Sequence, residues 1–285
     1  MKRETHTPSG ASNRAALSAS RAKDYLQCPL LFRYRTVDRL PEPPSSAATR
    51  GTLVHAVLEK LFDLPATERL EPAAQALVDP SWEAMTAKRP ELHSLFVQAG
   101  DADAFMAQVR ALVTNYFAME NPRRLDPTAR ERFVEVEIAS GILLRGFVDR
   151  IDTAPNGAVR VVDYKTGKSP SPRFTEDALF QMKFYGLVLW RLDGEAPARL
   201  QLVYLGDGRT LTLDPDPGDL RAFESELETL WARIEQAARS EDFRPRKSPL
   251  CPWCSFQSLC PEFGGSVPEM PTGGVQKLLT VRRAG

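Results

Sequence analysis

No stretch of the 285 residues approaches the roughly 18 uninterrupted apolar residues that a membrane-spanning helix needs. The opening MKRETHTPSGASNRAA has charges but no apolar segment behind them, which excludes the pattern of a secretory signal. Net charge is missing too. Thirty-seven Lys and Arg balance 37 Asp and Glu, so the chain is no wholesale polycation, and composition gives no hint of a nucleic-acid partner. There is no G-x-x-x-x-G-K-[ST] run, so neither ATP nor a motor is expected. No internal repeat is visible. Cysteine is scarce, at four residues. A cytoplasmic location is expected, where thiols stay reduced, so four cysteines ask for a metal rather than for disulfides.

What is present is ordinary globular composition: 42% apolar and 26% charged residues. A chain of this length makes one large domain or two small ones, with core enough to fold without disulfide staples. The zero charge hides an asymmetry. Residues 1–50 hold nine Lys or Arg against four acids, leaving +5, whereas residues 59–120 hold five against ten, leaving −5. Two solvated surfaces and a polyanion-binding face are both compatible with that split.

Residues 1–16 are small and polar and are expected to form a disordered tail. Ser18 and Ser20 offer N-caps to a first helix, and Pro29 opens a second, LLFRYRTV. The run PEPPSSAAT at 41–49 reads as a loop. In RGTLVHAVLEKLFD (50–63), Leu53, Val54, Val57, Leu58, Leu61 and Phe62 form one helical stripe, with His55 beside it. Residues 64–130 look like an acidic helical insert without a legible motif. From 131 the period changes: RFVEVEIA, ILLRGFVDRIDT and AVRVVDYKTG read as strands joined by turns at Gly141 and at Pro155-Asn156-Gly157. A helix over about 175–192, strands RLQLVYLG and RTLTLD, and a helix over about 218–239 follow. This order implies an α/β fold, a mixed sheet with helices around it. The end, 264–285, reads as a flexible tail.

Asp149 and Asp163 fall near the ends of adjacent strands, and Lys165, two residues after Asp163, shares its sheet face. Two carboxylates suit Mg²⁺ or Mn²⁺, which keep sites open for phosphate oxygens. A lysine beside such an ion can position the attacking water and offset developing charge. Those are the needs of phosphodiester hydrolysis, although an isolated D-x-K triplet is commonly a surface ion pair. Asp152, three residues from Asp149, should face away.

GFVDRID (146–152) followed by VVDYKTGK (161–168) resembles the RecB-type branch of the PD-(D/E)XK nuclease superfamily. The resemblance implies a restriction-endonuclease-like core, with Asp149 and Asp163 as metal ligands, Lys165 in catalysis and the backbone carbonyl of Tyr164 as a further ligand. Gly51-Thr52-Leu53-Val54-His55 is similar to the family's helical G-x-x-x-H and implies His55 as another ligand. Gln181-Met182-Lys183-Phe184-Tyr185 is similar to its Q-x-x-x-Y, which implies that Gln181 and Tyr185 contact the scissile strand or order the metal's waters.

Cys251, Cys254 and Cys260 give C-x₂-C-x₅-C, with Cys28 far upstream. Four thiolates suit Zn²⁺ or an iron–sulfur cluster, and spacing alone favours zinc. The arrangement, together with LSASRAKDYLQCPLLFRYR, resembles AddB-type and CRISPR-associated RecB-like exonucleases, in which such cysteines hold a 4Fe–4S cluster. By that resemblance the cluster ties the N-terminal helices to a Cys-rich loop at 244–263.

The expected protein is therefore a single nuclease domain over 17–263. It would be a Mg²⁺- or Mn²⁺-dependent DNA exonuclease serving repair, recombination or end processing, with a structural 4Fe–4S cluster. Expected backbone contacts to DNA are Arg21, Lys23, Arg33, Arg35, Arg244, Arg246 and Lys247, and Phe32, Tyr34, Phe174 and Trp253 are candidates to stack bases. A helicase or repair protein is a possible partner. The alternatives are a CRISPR adaptation exonuclease and a non-catalytic Fe–S DNA-binding subunit of a helicase–nuclease complex.

Overall fold

The computed structural model describes residues 14–282, so most of the tail expected at 1–16 lies outside the described residues. Helix α1 (Ala19–Gln27) starts where Ser18 Oγ accepts from the Arg21 N–H at 3.3 Å. Helix α2 (Pro29–Phe32) has its proline in the first turn and runs on into a π-helical turn, Arg33–Asp38. Helix α3 (Ser46–Leu61) begins inside the stretch expected to be a loop, because Ser45 caps it. Helices α4 (Glu71–Ala76), α5 (Val78–Lys88) and α6 (Asp101–Met119) lead to strands β1 (Ala129–Glu137), β2 (Leu143–Thr153) and β3 (Val159–Lys165). Helix α7 (Thr175–Asp193), strands β4 (Arg199–Tyr204) and β5 (Arg209–Leu213), and helices α8 (Pro217–Arg239) and α9 (Gly274–Leu279) complete the order.

The five strands form one mixed sheet in sequential order, parallel between β3 and β4 and antiparallel elsewhere. Gly141, at φ 79°, lets the β1–β2 hairpin close in a conformation that suits a residue without Cβ. Parallel pairing of β3 with β4 requires a crossover, and α7 provides it.

Alternation along β3 and β4 sorts the core into two layers. Val161, Leu200, Leu202 and Tyr204 pack with α1, α7 and α8, around Phe184 and Trp231. Val162, Tyr164, Val203 and Leu205 pack with α3 and the helices of the insert, around Val57, Leu61, Val109 and Tyr116. The insert is thus the cover of one sheet face. Arg150, 1% exposed, fastens it: its guanidinium donates to both Glu120 carboxylate oxygens at 2.7 Å and to the Tyr164 hydroxyl. Removing Arg150 would take the ion-pair partner from the largely buried Glu120, at a cost of about 3–5 kcal/mol.

The chain ends correct two expectations. Residues 274–282 are not a loose tail, since Leu278 and Val281 are buried and the Leu143 N–H donates to the Val281 carbonyl at 2.9 Å. Ala16 is buried as well, and Arg14 donates to the carbonyls of Thr280, Gly141 and Val281. Apolar residues spaced to meet the start of β2 hold both segments down. No described helix is long and apolar enough to cross a membrane.

Candidate active site

β2 and β3 pair from Arg150↔Val162 to Thr153↔Val159. One step further Asp149 would face Asp163, but the ladder stops there, while β3 stays paired with β4 as far as Lys165↔Tyr204. The strands part where the two carboxylates sit. The Tyr164 N–H, released from the ladder, donates to Asp149 Oδ2 at 2.9 Å. On the other side of β2, Arg130↔Arg150 and Arg132↔Val148 bracket Glu131, which stands level with Asp149. Glu131 has φ 44°, a left-handed conformation that costs about 1–3 kcal/mol in a residue with a side chain and gathers at functional sites.

From α3, His55 reaches into this gap. Its Nε2 lies 2.9 Å from the Tyr164 carbonyl, which can only accept, so in the neutral ring Nε2 carries the hydrogen. Nδ1 then presents a lone pair 3.4 Å from Asp149 Oδ2 and 3.9 Å from Glu131 Oε1. The ligand atoms of His55, Glu131 and Asp149 all lie within 4.8 Å of one another. Burial, reinforced by the Asp163 carboxylate, pushes the Asp149 carboxyl up to about 7. Burial also raises Glu131, partly offset by His55 and reinforced by Glu59 and Asp163. Electron pairs converging in a half-buried gap are mutually repulsive, and a divalent cation would relieve them. One imidazole nitrogen with two carboxylates is a donor set that fits Mn²⁺ or Mg²⁺, the nitrogen leaning it towards manganese.

Lys165 occupies the next position. Its ammonium lies 2.6 Å from Asp163 Oδ2, and it donates to Gln181 Oε1 at 2.7 Å. Gln181 Nε2 in turn donates to the Tyr185 hydroxyl at 3.1 Å, so the i, i+4 pair on α7 forms one relay. Burial pushes the Tyr185 hydroxyl up to about 12, so it keeps its proton as a hydrogen-bond donor. Gly146 makes room for that ring: a Cβ there would come within 2.7 Å of Tyr185 Cε1. Asp163, 1% exposed, stands outside the three-residue cluster and is held by the lysine. The Tyr164 carbonyl is occupied by His55, and Asp152 is away from the gap, ion-paired with Arg150 and Arg160. Glu131 was not among the residues expected from motifs. Counting back across the Gly141 turn from Asp149 reaches it, but its left-handed backbone leaves no such signal.

The four cysteines converge at the other end of α1. Cys28, Cys254 and Cys260 pack against a small apolar core of Leu30, Leu31, Tyr34 and Phe256. Backbone N–H groups of Arg246 and Ser248 donate to Cys28 Sγ and Cys251 Sγ, each at 3.3 Å. Burial raises the Cys260 thiol, and Cys28, Cys254 and Cys251 push it the same way. The Tyr34 hydroxyl donates to the Leu259 carbonyl at 2.9 Å, tying the two segments together.

Several expected DNA contacts are otherwise engaged. Arg33 is buried, with Asp38 and the Pro268 carbonyl taking its donors, and Arg35 is held by Asp24 and Glu42. Both therefore brace the N-terminal segment rather than offering free charge. Arg244 pairs with Asp242, Arg246 donates to the Leu26 carbonyl, and Lys247 lies 3.9 Å from Glu262. Phe32 and Tyr34 are core residues, whereas Phe174 and Trp253 are exposed. Arg21 and Lys23 line a cleft beside Gln181 and Tyr185.

Comparison with known proteins places the chain in a family. A profile described as the PD-(D/E)XK nuclease superfamily matches residues 16–261. The Gene 69 protein of Mycobacterium phage D29 is 26% identical over 272 residues, covering 86% of this chain and 96% of that one. The Gene 69 protein of Mycobacterium phage L5 is 33% identical over 126 residues, covering 43% and 41%. The crystal structure of SSO0001 aligns with a TM-score of 0.41 and 15% identity, over 88% of each chain.

Proposed function

Because the chain belongs to the PD-(D/E)XK nuclease superfamily, we propose that it is a divalent-metal-dependent deoxyribonuclease that trims DNA ends, with an iron–sulfur cluster as a structural staple. The observation that carries the reading is one gap between β2 and β3 that holds both a cation-ready donor set and an oriented lysine relay.

His55, Glu131 and Asp149 would hold the ion, with Asp163 completing the negative ring around it. A bound divalent ion supplies an activated water and neutralises charge on the phosphate. Lys165, ion-paired with Asp163 and donating one N–H to Gln181, keeps N–H groups for the attacking water or a phosphate oxygen. Gln181 fixes the lysine's rotamer, and Tyr185 offers its hydroxyl proton to the strand in the adjoining cleft. The Tyr164 carbonyl holds the imidazole so that its other nitrogen faces the carboxylates.

The four cysteines support the cluster by their likeness to the AddB-type and CRISPR-associated exonucleases, and Cys28, Cys254 and Cys260 pack against one apolar core. Anaerobic purification should give a brown protein with broad visible absorbance and iron in excess of zinc.

The direct test is end-labelled single-stranded and duplex DNA with Mg²⁺ or Mn²⁺. Wild type should shorten the label progressively, and Asp163→Ala and Lys165→Ala should not. Wild-type activity in both variants would refute the assigned site.

A further inference from the structure

Resting on the nuclease reading, we propose that a single DNA strand reaches the active site along a basic channel that starts beside Tyr185, passes between Arg21 and Arg145, and ends at Arg39 and Lys277. Two clefts make up this channel. The inner one, about 540 Å³, is bounded by Lys23, Arg21, Arg145, Phe147, Gln181 and Tyr185. The outer one, about 500 Å³, is bounded by Arg14, Arg21, Arg39, Arg145 and Lys277, with Thr36 between them. Arg21 and Arg145 line both, so the two clefts adjoin each other.

The charge is one-sided. Five cations line the outer cleft against one carboxylate, Asp38, which is already ion-paired with Arg33 at 3.1 Å. Arg14 and Arg145 have partners in Glu137 and Glu135. Among the described residues, Arg21, Arg39 and Lys277 have no carboxylate within ion-pair distance; Arg21 donates instead to the Ala16 carbonyl at 2.6 Å. Arg21 is half-buried while Arg39 and Arg145 act on it as like charges, and its guanidinium is pulled down by burial first and by those two next. Cations held together against their own repulsion mark a place for a polyanion.

A chain of phosphates fits better than a lone anion, because the cations are shared between two adjoining clefts. A strand carries a phosphate about every 3.4 Å, and pairing it with spaced Lys and Arg gives sequence-independent binding. Phe147, 53% exposed in the inner cleft and packed edge-on against Phe133, offers a face on which a base can stack beside the relay.

The test uses the full chain carrying Lys165→Ala, so that DNA is bound but not cut. Binding of a fluorescent single-stranded oligonucleotide is titrated from 50 to 300 mM salt, with and without Arg39→Gln and Lys277→Gln together. Each lost phosphate contact removes about 0.7 from the slope of log affinity against log salt, so the pair should lower it by about 1.4, equally for unrelated sequences. Blunt duplex should be affected less. An unchanged slope, or an equal effect on duplex, overturns the channel. Cleavage by the protein without these changes is measured in parallel. Cleavage together with an unchanged slope sinks the channel alone. No cleavage with any divalent ion sinks the nuclease reading, and the channel with it.

Discussion

Gly146→Ala is a one-carbon change aimed at the relay. The new Cβ would stand 2.7 Å from Tyr185 Cε1, about 0.8 Å inside the optimal carbon–carbon separation of about 3.5 Å. Tyr185 is 7% exposed and its ring meets Phe184 edge-on at 6.1 Å, so the ring can yield only towards the cleft that it lines, away from its place in the relay. Overpacking of this kind costs about 1–3 kcal/mol, or about 2–4 °C of Tm per kcal/mol in a chain somewhat smaller than this one. The catalytic loss should be out of proportion. A ring displaced by about 0.8 Å stretches the 3.1 Å bond from Gln181 and frees the amide that holds Lys165 at 2.7 Å. Misplacement near 1 Å can cost about 100-fold in rate, so kcat should fall by about 10- to 100-fold while KM changes little. Steady-state cleavage of an end-labelled oligonucleotide and thermal melting read the two effects. Adding Tyr185→Leu should recover melting temperature without recovering kcat. Wild-type kcat and Tm in Gly146→Ala would refute the packing of that ring and its role in aligning the lysine.

Three further outcomes are expected. Glu131→Gln should weaken Mn²⁺ binding by about 10- to 100-fold, read by calorimetry or by the free-ion EPR signal, and unchanged affinity would remove Glu131 from the ligand set. In metal-free protein, Asp149 binds its proton more tightly folded than unfolded. Its contribution is therefore full below about pH 4 and is lost as pH rises through about 7, so melting temperature should fall over that window and Asp149→Asn should flatten the fall. Cys28→Ala should bleach the visible absorbance and lower stability by up to roughly 5 kcal/mol, the entropy of closing a loop from residue 28 to the 251–260 region; full colour with an unchanged melting curve would contradict the staple.

The sheet was legible because its strands are short apolar runs bounded by turns that carry glycine or proline, and the observed strand ends fall within a few residues of the expected ones. Strand period paired Asp163 with Lys165 and helix period paired Gln181 with Tyr185, while only the family resemblance put the two pairs at one site. The insert resisted reading, since its purpose lies in partners far along the chain, Tyr164 and Val203 for its apolar face and Arg150 for Glu120. Arg33 looked like surface charge because nothing local announces Asp38 and the Pro268 carbonyl closing over it. The Lys277 end of the basic channel lay in a segment read as a tail, so Arg39 and Lys277 could not be related until the chain ends were seen to meet.

The connections around Tyr164 carry a warning for mutagenesis. Its N–H steadies one carboxylate and its carbonyl steadies the imidazole, while its side chain packs edge-on against the same imidazole and accepts from Arg150. Side-chain scanning at this residue would therefore mix lost packing with a displaced His55 and leave the two peptide groups unread. Replacing the peptide N–H at Tyr164 by an ester oxygen removes the donor to Asp149 and leaves the fold's side chains intact. Such a chemically edited backbone separates the part of the peptide from the part of the ring.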